Sequence, residues 1–122
     1  MNERSLTDAD YRRLLAFRVE LRRFIRHSET VATETGLTPA LHQLLLAIRG
    51  STTAGGSNIA TIAETLSVRH HTAVELAQRA EQLGLITRTR DEHDHRQLHL
   101  QLTNTGAASL ETLSRSHLPA IA

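Results

Sequence analysis

Apolar residues in the first third of the chain recur with a helical period. Tyr11, Leu14, Leu15, Phe17, Leu21, Phe24 and Ile25 fall on that repeat. Thr7 precedes them, with Asp8 and Asp10 in the opening turn, a cap followed by acids that complement the helix dipole. The pattern predicts one long helix to about Glu34, stopped by Gly36. Thr38-Pro39 opens a second helix, with proline at its first position. Leu41, Leu44, Leu45 and Ile48 form its apolar stripe, and Gly50 ends it. Ser51 to Asn58 (STTAGGSN) reads as a flexible loop, too short to divide domains.

The middle of the chain changes rhythm. Ile59 is expected to add a short strand, and Thr61 to Leu66 a short helix presenting Ile62, Ala63 and Leu66. A longer helix follows from His70 to Leu83. Ala73, Leu76, Ala77, Ala80 and Leu83 are assigned to its inner face, and His71, Val74, Glu75, Gln78 and Gln82 to its outer one. Small alanines on an inner face let helices cross closely. Leu85-Ile86 begin a strand, Asp91 to Arg96 form a charged tip, and Leu98, Leu100 and Leu102 alternate along a return strand. Thr103 can cap a last helix carrying Ala107, Leu110, Leu113 and Leu118. The order is four helices, a hairpin and a helix. Its centre is a helix-turn-helix followed by a wing, and a helix so placed fits the major groove of B-DNA.

Composition narrows the function. A chain of 122 residues is expected to form one domain with a modest core. Its three aromatics, Tyr11, Phe17 and Phe24, all lie in the first segment, which disfavours an aromatic ligand pocket elsewhere. The absence of cysteine excludes disulfides, thiolate metal sites and cysteine redox sensing, and fits the cytoplasm. No apolar run is long enough to span a membrane, and no signal peptide is evident. All fourteen basic residues are arginine, and the formal net charge is +1. Enzyme readings fare poorly: there is no cysteine nucleophile, no glycine-rich phosphate loop, no HExxH and no spacing that singles out a triad.

The residues Ile62-Ala63-Glu64, Leu66, Val68, Thr72, Arg79, Gly84-Leu85-Ile86, Arg88, Asp91, Asp94, Arg96, Leu102-Thr103 and Gly106 resemble the MarR family of bacterial transcriptional regulators. The wing signature is the specific part: an Asp, two residues, an Asp, one residue, an Arg, then Leu-Thr and a helix containing Gly. The resemblance implies a mainly α fold, a winged helix-turn-helix with a small antiparallel β wing and flanking dimerisation helices. Residues 1–122 would form a single winged-helix domain, with 37–103 as the DNA-binding core and 1–36 and 104–122 as the dimerisation helices. It further implies a homodimer on a palindromic operator in double-stranded DNA, with release by a small-molecule effector. The expected protein is a cytoplasmic repressor, not an enzyme, with no cofactor, no metal and no membrane partner. The His70–Leu83 helix would be the recognition helix, and Asp94 and Arg96 would brace the wing. Three positions depart from the family pattern. His95 stands where many relatives carry a wing-tip arginine, Glu75 where relatives often have a small or basic residue, and the sequence ends at Ala122, where the family's last dimerisation helix is expected to be missing or curtailed: either the chain is truncated or the first helix carries more of the interface.

On this reading Arg69, His70, His71, Thr72, Glu75, Arg79, Arg88, Arg90, His93, His95 and Arg96 are the candidate DNA contacts. Helix-opening residues reach phosphates and base edges. Glu75 can accept from a cytosine amine or pair with Arg79 four residues on. Of Arg88 and Arg90, one is free for phosphate and one for Asp91 or Asp94. Between Asn58 and Thr103 five arginines face six acids, a net charge of −1 that is weak for a phosphate-binding surface. His70, His71, His93, His95 and His99 add positive charge when protonated, so operator affinity is expected to rise from about pH 7.5 to about pH 6. The first helix carries Arg12, Arg13, Arg18, Arg22, Arg23 and Arg26 against Glu20. Arg18, Arg22 and, from the second helix, His42 are its candidates for an anionic effector. Two other readings remain: a winged-helix protein-interaction module without DNA binding, and a metal-responsive regulator using His93, His95 and His99 with His70 or His71.

Overall fold

The computed structural model describes residues 4–51 and 57–121, without the side chains of residues 116 and 118–121. The predicted loop therefore lies mostly outside the described residues, as does the side chain of Leu118. The elements are α1 (Asp8–Thr35), α2 (Pro39–Gly50), β1 (Ser57–Asn58), α3 (Ile59–Leu66), α4 (His70–Gln82), β2 (Ile86–Arg90), β3 (Leu98–Leu102) and α5 (Asn104–Ile121).

Local chemistry explains the boundaries. Thr7 and Asp10 form a reciprocal capping box at the start of α1. Arg4 and then the Thr7 backbone N–H bind Asp10 and hold its carboxyl down at about 2. Gly36 ends α1 in the left-handed region. The Thr38 hydroxyl accepts from the Leu41 N–H, with Pro39 opening α2 as its fixed φ favours. Ile59 is helical, not the expected strand. The strand is Ser57–Asn58, because the Asn58 side chain accepts from the Ala60 N–H at 2.7 Å and starts α3 immediately.

The sheet order is β1-β3-β2, antiparallel throughout, with Ile86 opposite Leu102 and Arg90 opposite Leu98. One continuous core joins Leu41, Leu44, Leu45 and Ile48 of α2 to Ile59 and Ile62 of α3, Leu85 and Ile86, and Leu98 and Leu100 of β3. Ala73, Ala77 and Ala80 of α4 are fully buried within it. Two assignments on α4 change. Leu83 lies past the last helical residue and is 52% exposed, while Val74 packs against the core. Gly84 takes a positive φ of 75° there, which turns the chain into β2 and swings Leu83 off the helical stripe.

The α5 helix is fastened to this turn. Thr103 Oγ1 donates to the Gly84 carbonyl at 2.7 Å and accepts from the Gly106 N–H at 3.0 Å. The Thr103 backbone N–H donates to the Leu85 carbonyl at 3.0 Å. Gly106 then passes directly over Leu85. A β-carbon there would sit on the Leu85 carbonyl oxygen and 2.8 Å from the carbonyl carbon.

The α1 helix contrasts with the rest. Among its described residues only Val31 is buried. Tyr11, Leu14, Leu15, Phe17, Leu21 and Ile25 are all exposed, Phe17 at 64%. The helical period is present, but none of the described residues of the chain covers this apolar stripe.

Candidate nucleic-acid interface

The α3–α4 turn is tight. Ser67 ends α3 at a positive φ of 56°, donating its N–H to the Ala63 and Glu64 carbonyls, and Arg69 occupies the cap position of α4. That cap makes no side-chain hydrogen bond, and the first turn of α4 holds no acid. Its leading N–H groups therefore lack a side-chain acceptor, unlike those of α1. A helix N-terminus left this way favours an anion. Arg69, His70 and His71 are exposed there and Thr72 is half-buried. Glu75 and Arg79 are also exposed, and no Glu75–Arg79 ion pair forms among the described residues. The sequence alternative of a local pair therefore fails, and both side chains face solvent.

The hairpin tip is organised by Asp91. Its Oδ1 accepts from the backbone N–H groups of His93 at 2.8 Å and Asp94 at 3.0 Å, and its Oδ2 contacts His99 Nε2 at 3.1 Å. The His93 and Asp94 N–H groups, with His99, hold the Asp91 carboxyl below its usual range. Asp94 Oδ1 accepts from both the backbone N–H and Nε of Arg96, and the Arg96 side chain is the main cause of its lowered carboxyl. Asp94 and Arg96 thus touch as expected, while Asp91 and His99 supply bracing contacts that the sequence reading did not assign. The Asp-x-x-Asp spacing carried that information: an Asp side chain two and three residues before unpaired N–H groups forms its own turn.

The remaining candidates separate. Arg88 pairs with Glu81 of α4 at 3.0 Å, which ties β2 to the helix and corrects the expected partner Asp91 or Asp94. Glu81 is simply the nearer acid across the α4–β2 corner. Arg90 reaches the His95 carbonyl at 3.4 Å across the tip. His93, His95 and Arg96 are exposed at the end of the hairpin. Among the described residues no group of three or more His, Cys, Asp or Glu is placed to hold a metal ion. Arg18 and Arg22 line a shallow groove with Leu21 and Ile25. His42 is not part of it; its ring packs on His117, 4.8 Å between centroids.

Replacing Asp91 with Ala should loosen residues 91–97 while leaving the global unfolding midpoint nearly unchanged. Amide order parameters measured by NMR check this. The wild-type tip should behave the same way in acid. A carboxyl lowered by folding stabilises fully above its unfolded value of about 3.9 and loses that contribution as pH falls through its folded value.

A partly buried helical pair, an exposed helix start and a braced hairpin define a winged helix-turn-helix protein. The MarR family profile matches residues 35–97, more than half of the chain. The chain belongs to the MarR family, whose members are transcriptional regulators and not enzymes. No curated protein matches the sequence significantly. Solved structures match over nearly the whole chain. A MarR family protein from Bacillus stearothermophilus superposes with a TM-score of 0.79 at 18% identity, covering 96% of this chain and 80% of that one. The YusO protein from Bacillus subtilis gives 0.71 at 23% identity, covering 97% and 82%. The S. aureus MepR–DNA complex gives 0.74 at 19% identity, covering 95% and 80%. At these identities the likeness establishes the fold.

Proposed function

We propose that this protein is a homodimeric repressor that binds a palindromic operator in double-stranded DNA and is released by a small ligand. The observation that carries this is the start of α4: exposed, without a side-chain cap, free of acids, and led by Arg69, His70 and His71. In this reading α4 enters the major groove and Thr72, Glu75 and Arg79 face base edges. Arg90, His93, His95 and Arg96 at the wing reach the neighbouring backbone. Arg88, held by Glu81, positions β2 and makes no phosphate contact. The MepR–DNA complex supports the mode of docking at the level of fold. Residues 1–122 act as one unit, with α1 and α5 joining two copies.

The effector is an anion taken by Arg18 and Arg22 on the exposed groove of α1, apart from His42, whose ring packs on His117 between the helices. It changes the separation of the two heads, and affinity falls only as far as the ligand prefers the wrong spacing. The protein works in the cytoplasm; among the described residues no helix is long and apolar enough to cross a membrane.

Selection from a random double-stranded DNA pool tests the reading. The expected product is an inverted repeat with half-sites one helical turn apart, about 10 base pairs. Arg69→Ala should weaken binding to every sequence alike and flatten the salt dependence by about one unit of slope. Absence of enrichment at low salt and pH 6.5 would sink the proposal. It would favour a protein-interaction module, a reading consistent with the −1 charge of residues 58–103.

A further inference from the structure

Three imidazoles meet where α1, α2 and α5 converge. His117 of α5 lies at the centre. Its ring centroid is 4.9 Å from that of His27 on α1 and 4.8 Å from that of His42 on α2, and Phe24 closes the stack edge-on at 5.2 Å. His117 Nδ1 faces the Leu113 carbonyl at 2.7 Å, and Nε2 faces the Ser28 hydroxyl at 2.8 Å. A carbonyl only accepts, so Nδ1 carries the proton. The Ser28 hydroxyl can donate to a neutral Nε2 or accept from a protonated one.

The other two rings differ. His27 Nε2 and His42 Nε2 are buried and have no hydrogen-bond partner. A proton on either would create a buried cationic N–H without an acceptor, beside another imidazole. The charged residues of the three helices lie outside. On α1, Arg23 pairs with Glu20, and Arg26, Glu29 and Glu34 are exposed. On α2, Arg49 is exposed. On α5, Glu111 and Arg115 are exposed and pair with each other at 2.7 Å. No carboxylate among the described residues bonds His27 or His42.

We propose that the His27–His42–His117 stack is a proton-operated latch: neutral imidazoles hold α1 and α5 onto α2, and protonation in mild acid releases them. Burial, and then the charge of His117, lowers the proton affinity of His42, which gives the direction. The sign follows from linkage. A histidine held neutral by folding contributes its full stability above its unfolded value of about 6.5. That contribution is lost as pH falls below 6.5, because the open form binds more protons. None of the three rings belongs to the proposed DNA-contact surface, and release of α1 and α5 opposes the exposed head histidines, whose protonation would favour phosphate.

The absence of cysteine makes a clean test possible. Spin labels on Glu29→Cys and Glu64→Cys, both exposed, report the separation of α1 from α3 in the full chain. The distance distribution should be narrow at pH 7.5, and should broaden and lengthen by pH 5.5 with a midpoint below 6.5. His27→Phe/His42→Phe should remain narrow across that range. A wild-type distribution that does not change, or a change that persists in the double variant, overturns the proposal. Should the double variant fail to fold, imidazole NMR of the wild-type protein decides. His42 titrating below 6.5 together with the α1–α3 distance change supports the latch, and titration at or above 6.5 refutes it.

Discussion

Gly106→Val should unseat α5 and destabilise the fold by roughly 3 kcal/mol, the upper range for forcing atoms into a packed site. The glycine has no room for a β-carbon, because the Leu85 carbonyl occupies the space. The obstructing atoms belong to backbone at the α4–β2 turn and cannot rotate away as a side chain would. Relief requires α5 to lift. That breaks the Thr103–Gly84 and Thr103–Leu85 hydrogen bonds and exposes Leu110, which is 6% exposed in the intact fold. Gly106→Ala should cost less than valine but remain clearly destabilising. Chemical denaturation of both variants beside wild type gives the comparison. An alanine variant as stable as wild type would mean that α5 does not pack against Leu85 in solution.

A charge placed on the exposed stripe of α1 should have the second large effect. Leu14→Glu/Leu21→Glu is expected to convert a dimer into a monomer, read by light scattering after size exclusion. Six large apolar side chains lie on that stripe, among them Leu14 at 55% and Leu21 at 45% exposed. Fully burying a side chain of this kind yields about 1.5–3 kcal/mol, so the stripe from two copies offers well above the several kcal/mol that association costs. Arginines flank it on the same helix, and pairing them with Glu20 of a second copy would add direction more than strength. The substitutions sit on exposed surface, so the winged core should keep its circular dichroism spectrum. On the proposed reading, in which two heads share one palindromic site, DNA affinity should collapse. An unchanged dimer would place the interface elsewhere.

The sequence was most legible where one residue type does one local job. Gly36, the Thr38-Pro39 pair and the alternation of Leu98, Leu100 and Leu102 marked element ends and faces, and the structure agrees. Such features depend on backbone geometry within a few residues. The failures share a different cause. Glu81 as the partner of Arg88 arises where α4 meets β2 across a corner, and no periodicity encodes it. Gly106 stood out as part of a pattern, but its steric reason lies at Leu85, far away in sequence. Of the candidate site, the recognition helix was placed from its apolar repeat of Ala73, Leu76, Ala77 and Ala80, whereas the roles of Asp91 and His99 needed the hairpin closed. His27, His42 and His117 are far apart in sequence, and their meeting was invisible before α1, α2 and α5 were assembled.

The bond between Thr103 and the α4–β2 turn has a mechanical consequence. It makes the first turn of α5 a fulcrum next to the base of the wing. The whole of α5 has 18 residues, and at 1.5 Å per residue it is roughly 27 Å long. A tilt of about five degrees at the fulcrum displaces the far end by roughly 2 Å over that length. His117 sits near that far end. Small movements among three packed rings are therefore geared to still smaller rotations at the hairpin, and the long arm favours sensitivity at the rings over amplitude at the wing.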